Sequence, residues 1–241
     1  MSFIPMNPTL IGTPSFGIPT PNRSQTDSMK ARLKHIKDDL LASLPAIDGL
    51  SAEGRRGIIA RYSSVLEGNF IYWMTGAYLA ARREETRAII EDNLLEEVRD
   101  CHPGMMRRFA LAADAVPGDA DALAVYPQLS AVRLFVGKLS PAPLIAMMAF
   151  FEDFIQSFMA YLAELAKRQG SGEQEYTDVH GTCDVAHSRE LFRALEAEMA
   201  IASDFGEADE SLFEGVWLLR SLIQVIVAGQ IRAAKAFSDV N

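Results

Sequence analysis

The sequence is poor in cysteine and in basic residues. Its 241 residues include only two cysteines, Cys101 and Cys183. Two thiols are too few for a disulfide framework and are best explained as reduced side chains in a cytoplasmic protein. Lys and Arg number 23 against 32 Asp and Glu, which gives a formal net charge of −9. The summed field therefore repels phosphate backbones, and we expect no nucleic-acid partner.

Long apolar runs are also missing. No segment reaches the roughly 18 uninterrupted apolar residues that a membrane span needs, and the longest stretch, residues 144–151, ends at Glu152 and Asp153. Residues 1–25 lack the basic start and the continuous apolar run of a secretory signal, and prolines interrupt them. We expect this segment to be an extended arm that is either disordered or lies across a neighbouring subunit. Residues 26–241 are then expected to form one cytoplasmic domain that enters no membrane.

Helical periodicity, by contrast, runs through almost the whole chain. Hydrophobic residues make up 49% of the sequence, and from Asp27 onward they recur every three or four positions, with no strand-like alternation. Pro127 either interrupts one of the helices or marks its true start. The expected fold class is an all-α helical bundle. Glycines and prolines divide the pattern into predicted helices at residues 27–43, 51–83, 85–99, 103–113, 122–138, 140–168, 176–202 and 207–236.

Three of the four histidines accompany acidic residues. His180, Asp184 and His187 are spaced four and then three positions apart, so on a helix they project from one face. Two imidazoles and one carboxylate suit iron or another first-row divalent metal. A solvated polar helix face is the alternative explanation. Against it, Gly181 and Cys183 stand where a surface helix would favour Lys, Glu or Arg.

Isolated acidic residues interrupt the apolar pattern of other helices. Glu152 has Met148 and Ile155 as helical neighbours and is therefore expected in the interior, with Asp153 nearer the surface. A buried carboxylate is costly without a partner, and either a metal ion or a buried Lys or Arg would remove that cost. Glu67 also lies among apolar residues and is equally compatible with the surface and with a metal site.

Glu97 and His102 form a further candidate pair. They are five positions apart, which places them about 140° from each other around a regular helix. Both can reach one metal only if the helix bulges or ends between them. Pro103 favours an end there, because proline fits the first turn of a following helix. Glu96 is the alternative to Glu97 as the ligand.

Together these residues provide a ligand set for two divalent cations. Four carboxylates balance the charge, and three imidazoles complete the coordination while open positions remain for O2 and substrate. Glu and His from several inward-facing helices are typical of carboxylate-bridged di-iron sites. Iron is the expected ion, with manganese as the alternative, because oxygen and nitrogen ligands suit both better than structural zinc. The predicted ligands, which would also be the catalytic residues, are Glu67, Glu97, His102, Glu152, His180, Asp184 and His187.

The order of these residues resembles that of the heme-oxygenase-like di-metal oxidases, also described as iron-containing redox enzymes. The resemblance covers about residues 30–235. It rests on the late triplet, on residues 93–97 followed by His102 and Pro103, on Glu67 upstream and on Glu152 between them. Many relatives have more residues between the second Glu and its His than the four that separate Glu97 from His102. Glu96 therefore stays an alternative ligand.

The resemblance implies a seven-helix heme-oxygenase-like bundle without heme, two Fe2+ ions as cofactors and O2 as co-substrate. It also implies a small amine, amino acid-derived or carboxylate substrate, oxidised in natural-product biosynthesis. The implied reactions are N-oxygenation, desaturation and oxidative C–C cleavage. An external electron donor is a candidate partner, and a homodimer is the expected assembly.

Several alternatives stay open. Asn69, Tyr72 and Trp73 are expected to contact the substrate, although core packing explains Tyr72 and Trp73 equally well. A metal-independent enzyme of the same fold, either thiaminase-like or a cofactorless oxidase, is a rival function. A thiaminase-like enzyme would need a nucleophilic cysteine, and Cys183 points about 100° away from the face of Asp184. A non-catalytic helical binding protein is the rival from another class.

Overall fold

The computed structural model describes residues 23–202 and 209–228, and every regular element in these ranges is a helix. Two short 3-10 helices, Ile47–Gly49 and Glu210–Phe213, occur between the longer elements. The α-helices are α1 Arg23–Ala42, α2 Ala52–Ala80, α3 Glu84–Arg99, α4 His102–Ala112, α5 Asp119–Val136, α6 Pro141–Arg168, α7 Glu175–Met199 and α8 Glu214–Ala228.

The all-α prediction is confirmed. The described residues contain eight α-helices, one more than the approximate count of seven that the resemblance implied. Helix α1 begins at Arg23, slightly before the predicted Asp27. Residues 1–22 of the predicted arm, and the predicted part of the last helix beyond residue 228, lie outside the described residues.

Helix α6 forms the centre of the bundle. It packs against α1, α2, α7 and α8, and its buried residues are consecutive from Ala142 to Glu152 and recur at intervals as far as Ala166. It begins at Pro141, directly after Ser140, because proline fits the first helical turn. By length and composition α6 could cross a membrane, but 72% of its apolar 18-residue window is buried inside the fold. Its apolar character is therefore explained by the neighbouring helices that cover it.

Two glycines let neighbouring helices approach closely. A Cβ added at Gly215 of α8 would lie 2.4 Å from Cε1 of Phe135 and 2.9 Å from Cβ of Met147. A Cβ added at Gly76 of α2 would lie 2.5 Å from Cγ1 of Val136. Both α2 and α8 thus pack tightly against the end of α5, and α8 closes the core beside α2 and α6.

Helix α5 continues through Pro127, so neither expectation for that proline is correct. The helix begins at Asp119, where the side chain of Asp121 accepts a hydrogen bond from the backbone N–H of Gly118. Pro127 leaves the carbonyl four residues earlier without its helical donor. Because Leu123 is 69% exposed, water can satisfy that carbonyl. The proline is therefore tolerated on the outer face of the helix.

The link between α3 and α4 explains the spacing of Glu97 and His102. Helix α3 ends at Arg99, and α4 begins at His102 with Pro103 in its first turn. Between them Cys101 adopts the left-handed conformation, with φ of 57°, which non-glycine residues rarely take. The prediction that the helix ends between Glu97 and His102 is confirmed.

A buried carboxylate holds the turn between α2 and α3. Oε1 of Glu198, near the end of α7, accepts hydrogen bonds from the backbone N–H groups of Arg82 at 3.0 Å and Arg83 at 2.8 Å. N–H groups at a helix start have no partner within the helix, and a negative charge there is stabilising. Helix α7 thereby positions the start of α3, the helix that carries Glu96 and Glu97.

Candidate metal centre

Three of the predicted ligands converge between α3, α4 and α7. Glu97, His102 and His180 are all buried, and one ligand atom from each lies within 4.8 Å of the other two. Oε1 of Glu97 is 2.7 Å from Nδ1 of His102 and 4.0 Å from Nε2 of His180. The two imidazole rings meet edge to face with centroids 4.6 Å apart. Donors from three helices therefore surround one interior point.

The hydrogen bonding of His180 prepares it to bind a cation. Its Nδ1 lies 2.8 Å from the backbone carbonyl of Tyr176, and because a carbonyl only accepts, Nδ1 carries the proton. The neutral ring then has its lone pair on Nε2, the atom 4.0 Å from Oε1 of Glu97. Burial lowers the pKa of His180 despite the nearby charge of Glu97, so the neutral form is favoured. A lone pair and a carboxylate with no proton between them fit a divalent metal.

His102 is held by its acidic neighbour. Burial lowers the pKa of His102, but the hydrogen bond and negative charge of Glu97 outweigh that effect and raise the pKa above its usual value. A proton is thus retained by the Glu97–His102 pair when no cation is bound. Metal ligands must be deprotonated, so a cation that binds here would displace this proton.

Glu152 of α6 lines the same pocket as the three converging residues. It is 4% exposed, which confirms its predicted interior position. Asp153 lies nearer the surface, also as predicted, and its carboxylate is 2.7 Å from Nζ of Lys37. The pocket measures about 30 Å³, enough for a few atoms beside the donors.

His187 reaches the other acidic residue of α3. It is 7% exposed, and its Nε2 lies 2.9 Å from Oε2 of Glu96. The two side chains border a wider surface cleft together with Asn93. His187 lies on α7 about two helical turns beyond His180. Both candidate acids thus contact a predicted ligand: Glu97 inside the cluster and Glu96 beside it.

Glu152 lines the pocket of this cluster and His187 lies beside it, so the two predicted ligands that remain are Glu67 and Asp184. Glu67 forms an ion pair with Arg107, and 26% of its side chain is exposed. Metal binding by Glu67 would require its carboxylate to leave that arginine. The backbone of Asp184 lies on α7, one turn beyond His180, but the side chains of Asp184 and Cys183 lie outside the described residues. The roles of Glu67 and Asp184 stay predictions.

Helix α2 presents other residues to the pocket than the predicted substrate contacts. Asn69 accepts a hydrogen bond from Arg133 at 2.8 Å, Tyr72 is 42% exposed, and Trp73 is fully buried in the core. The residues of α2 that line the pocket, within the described part of the chain, are Tyr62, Leu66, Phe70 and Ile71.

A buried pair of tyrosines at the pocket wall is not apparent from the ligand pattern. The hydroxyl groups of Tyr62 and Tyr176 lie 3.0 Å apart, and the Tyr176 ring packs against His180 with centroids 4.2 Å apart. Tyr176 precedes His180 by four positions, so it lies on the same helical face. That spacing is the signal in the sequence, whereas Tyr62 is indistinguishable there from an ordinary core residue.

Comparison with known proteins agrees with the nature of these donors. Residues 60–221, more than half of the chain, match a protein family described as iron-containing redox enzymes. The matched region includes all seven predicted ligands. Comparison with curated proteins gave no significant match.

Proposed function

Because the chain belongs to the iron-containing redox enzymes, we propose that it is a non-heme di-iron oxidase or oxygenase that uses O2. An iron-dependent oxidoreductase follows from the family, and the second iron and the use of O2 are our proposal. The observation that carries it is the convergence of Glu97, His102 and His180 in a buried pocket that Glu152 also lines.

Two neighbouring groups of donors support two iron ions. Glu97, His102 and His180 would hold the first, with Glu152 beside them. Asp184 and His187, one and two turns further along α7, would hold the second, with Glu96 as an additional ligand because it already contacts His187. Glu67 would join them if its ion pair with Arg107 opened. Carboxylates and imidazoles from several facing helices are the usual way to build such a centre.

The chain's own residues would orient and shield the metals. The hydrogen bond from His180 to the carbonyl of Tyr176 holds the ring and its tautomer, as outer contacts of metal-bound histidines do. Leu66, Phe70 and Ile155 provide apolar walls that exclude water from the donors and strengthen electrostatic interactions there. When bound, iron would pass electrons to O2 and accept electrons from the substrate.

The substrate we propose is a small amine, amino acid-derived or carboxylate metabolite. N-oxygenation, desaturation and oxidative C–C cleavage are the candidate reactions. The space of about 30 Å³ beside the donors supports a small reacting group. An external electron donor would restore the reduced metals after turnover.

Iron loading tests this proposal. The purified protein is incubated anaerobically with Fe2+ and freed of unbound metal, and its iron content and O2 consumption are then measured. We expect about two iron ions per chain and O2 consumption that depends on them. Failure of the wild-type protein to retain iron, or O2 consumption that is unaffected by iron, would overturn the proposal.

Three of the four histidines provide a matched set of variants. His180→Ala and His187→Ala should each lower the iron content and abolish iron-dependent O2 consumption. His35→Ala is the control, because His35 lies on the surface of α1 with 76% of its side chain exposed. It should behave as wild type. A His187→Ala protein that keeps full iron and activity would show that the second group of donors binds no metal.

A further inference from the structure

A second, smaller cavity lies behind the metal pocket, between α2, α6 and α8. Its volume is about 10 Å³. Tyr62, Leu66 and Phe151 line both cavities, so these three side chains form the partition between them. The remaining wall includes Trp73 of α2, Phe154 of α6, and Leu222 and Ile223 of α8.

The described residues that line this cavity present almost entirely hydrocarbon to it. The hydroxyl of Tyr62 lies 3.0 Å from that of Tyr176 and is thus engaged. The indole N–H of Trp73 has no hydrogen-bond partner among the described residues. A buried water molecule usually makes roughly two to four hydrogen bonds, and the described side chains of this lining offer one unused donor. Apolar cavities of this kind stay dry and take up apolar molecules such as xenon.

We propose that this cavity binds molecular O2 and holds it next to the metal pocket. A volume of about 10 Å³ leaves room for roughly one molecule of the size of water. O2 is a small, neutral, apolar molecule that needs no hydrogen-bond partner. Leu66 is only partly buried, so it is the partition residue best able to move and connect the two cavities. The role of the bound O2 rests on the proposed oxidase function, whereas the binding of an apolar gas does not.

Trp73 reports on this cavity directly. The chain contains two tryptophans, Trp73 and Trp217, so Trp217→Phe leaves Trp73 as the sole indole emitter. Dissolved O2 quenches indole fluorescence on contact, while iodide cannot reach a fully buried ring. In the full-length Trp217→Phe protein without added iron, we expect O2 to quench Trp73 and iodide to have no effect.

A cavity-filling variant supplies the decisive comparison. In the Trp217→Phe background, Ile223→Phe should fill the cavity and lower the O2 quenching constant of Trp73 severalfold. Ile36→Phe is the matched control, because Ile36 is a buried residue of α1 that does not line the cavity, and it should leave quenching unchanged. Equal quenching in the Ile223→Phe and Ile36→Phe proteins would overturn the proposal.

Xenon binding keeps the proposal testable if Ile223→Phe fails to fold. Crystals of the wild-type protein under xenon pressure should show xenon between Trp73 and Ile223, and its absence there would overturn the proposal. In iron-loaded protein, Ile223→Phe should raise the O2 concentration for half-maximal consumption severalfold at unchanged iron content. O2 consumption by the wild type without xenon binding would refute the proposed gas-binding site but not the oxidase function. Xenon binding without O2 consumption would refute the oxidase function but leave the gas site standing.

Discussion

The charge of Glu97 can be removed almost without changing the shape of the side chain. Glu97→Gln keeps an oxygen that can face His102 but leaves His180 opposite a neutral group. Glu97 is the single anion among the three converging donors, so the substitution removes the main attraction for a dication at that point. Loss of a residue that merely orients a ligand weakens metal binding about 10- to 100-fold, so we expect a loss of at least about 100-fold for Glu97→Gln.

Because of this weaker affinity, iron should raise the melting temperature of Glu97→Gln less than that of the wild type. A ligand at about 100 times its Kd stabilises the folded state by about 2.7 kcal/mol, and each 1 kcal/mol shifts the Tm of a domain of this size by about 2–4 °C. Wild-type protein should therefore gain about 5–11 °C from iron at that concentration. A variant with about 100-fold weaker affinity would be half saturated and gain about 0.4 kcal/mol, or about 1–2 °C.

Anaerobic calorimetry with and without Fe2+ measures this difference. Comparing the gain within each protein cancels any effect of the substitution on the metal-free fold. Glu91→Gln is the control, because Glu91 is an exposed residue of the same helix, and it should gain as much as wild type. If Glu97→Gln and Glu91→Gln gain equally, Glu97 is not a metal ligand and the assignment of the centre fails.

Three further predictions concern packing and ionisation. Gly215→Ala should lower the free energy of unfolding in urea by about 1–3 kcal/mol, because its Cβ would lie 2.4 Å from Phe135. Gly68→Ala is the control: its Cβ would have nothing within 4 Å, so it should raise the free energy of unfolding by about 0.5–1 kcal/mol. Similar effects of the two substitutions would contradict the packing described for α8. Glu198→Ala should lower the free energy of unfolding by about 1.5–3 kcal/mol, because two backbone N–H groups lose their charged acceptor. An unchanged free energy of unfolding would mean that the turn before α3 does not depend on Glu198. Burial raises the pKa of Tyr161 to about 12, so its phenolate absorbance should appear only near that pH and be missing from Tyr161→Phe. The pKa of Tyr161 in the folded protein exceeds its value of about 10 in the unfolded chain. The stabilisation from the neutral phenol is therefore complete below about pH 10 and is lost as the pH rises through about 12.

The sequence by itself determined the helices, most of their ends and the burial of Glu152. These features depend on neighbours within one or two helical turns, so local periodicity and the positions of glycine and proline suffice to predict them. The break between α3 and α4 belongs to this class, because Pro103 marks it. Pro127 is the exception, since only the structure shows that its side of α5 faces outward, where the interrupted hydrogen bond can be replaced by water.

Only the tertiary structure decided which acid meets which histidine. Glu96 and Glu97 are adjacent and chemically identical, and the sequence could not choose between them. The packing of α3 against α7 directs Glu97 to His180 and Glu96 to His187. The ion pair of Glu67 with Arg107 likewise joins two helices. Periodicity states which side chains share a face of one helix, but the rotation and the axial position of that helix are set by the side chains packed between it and its neighbours.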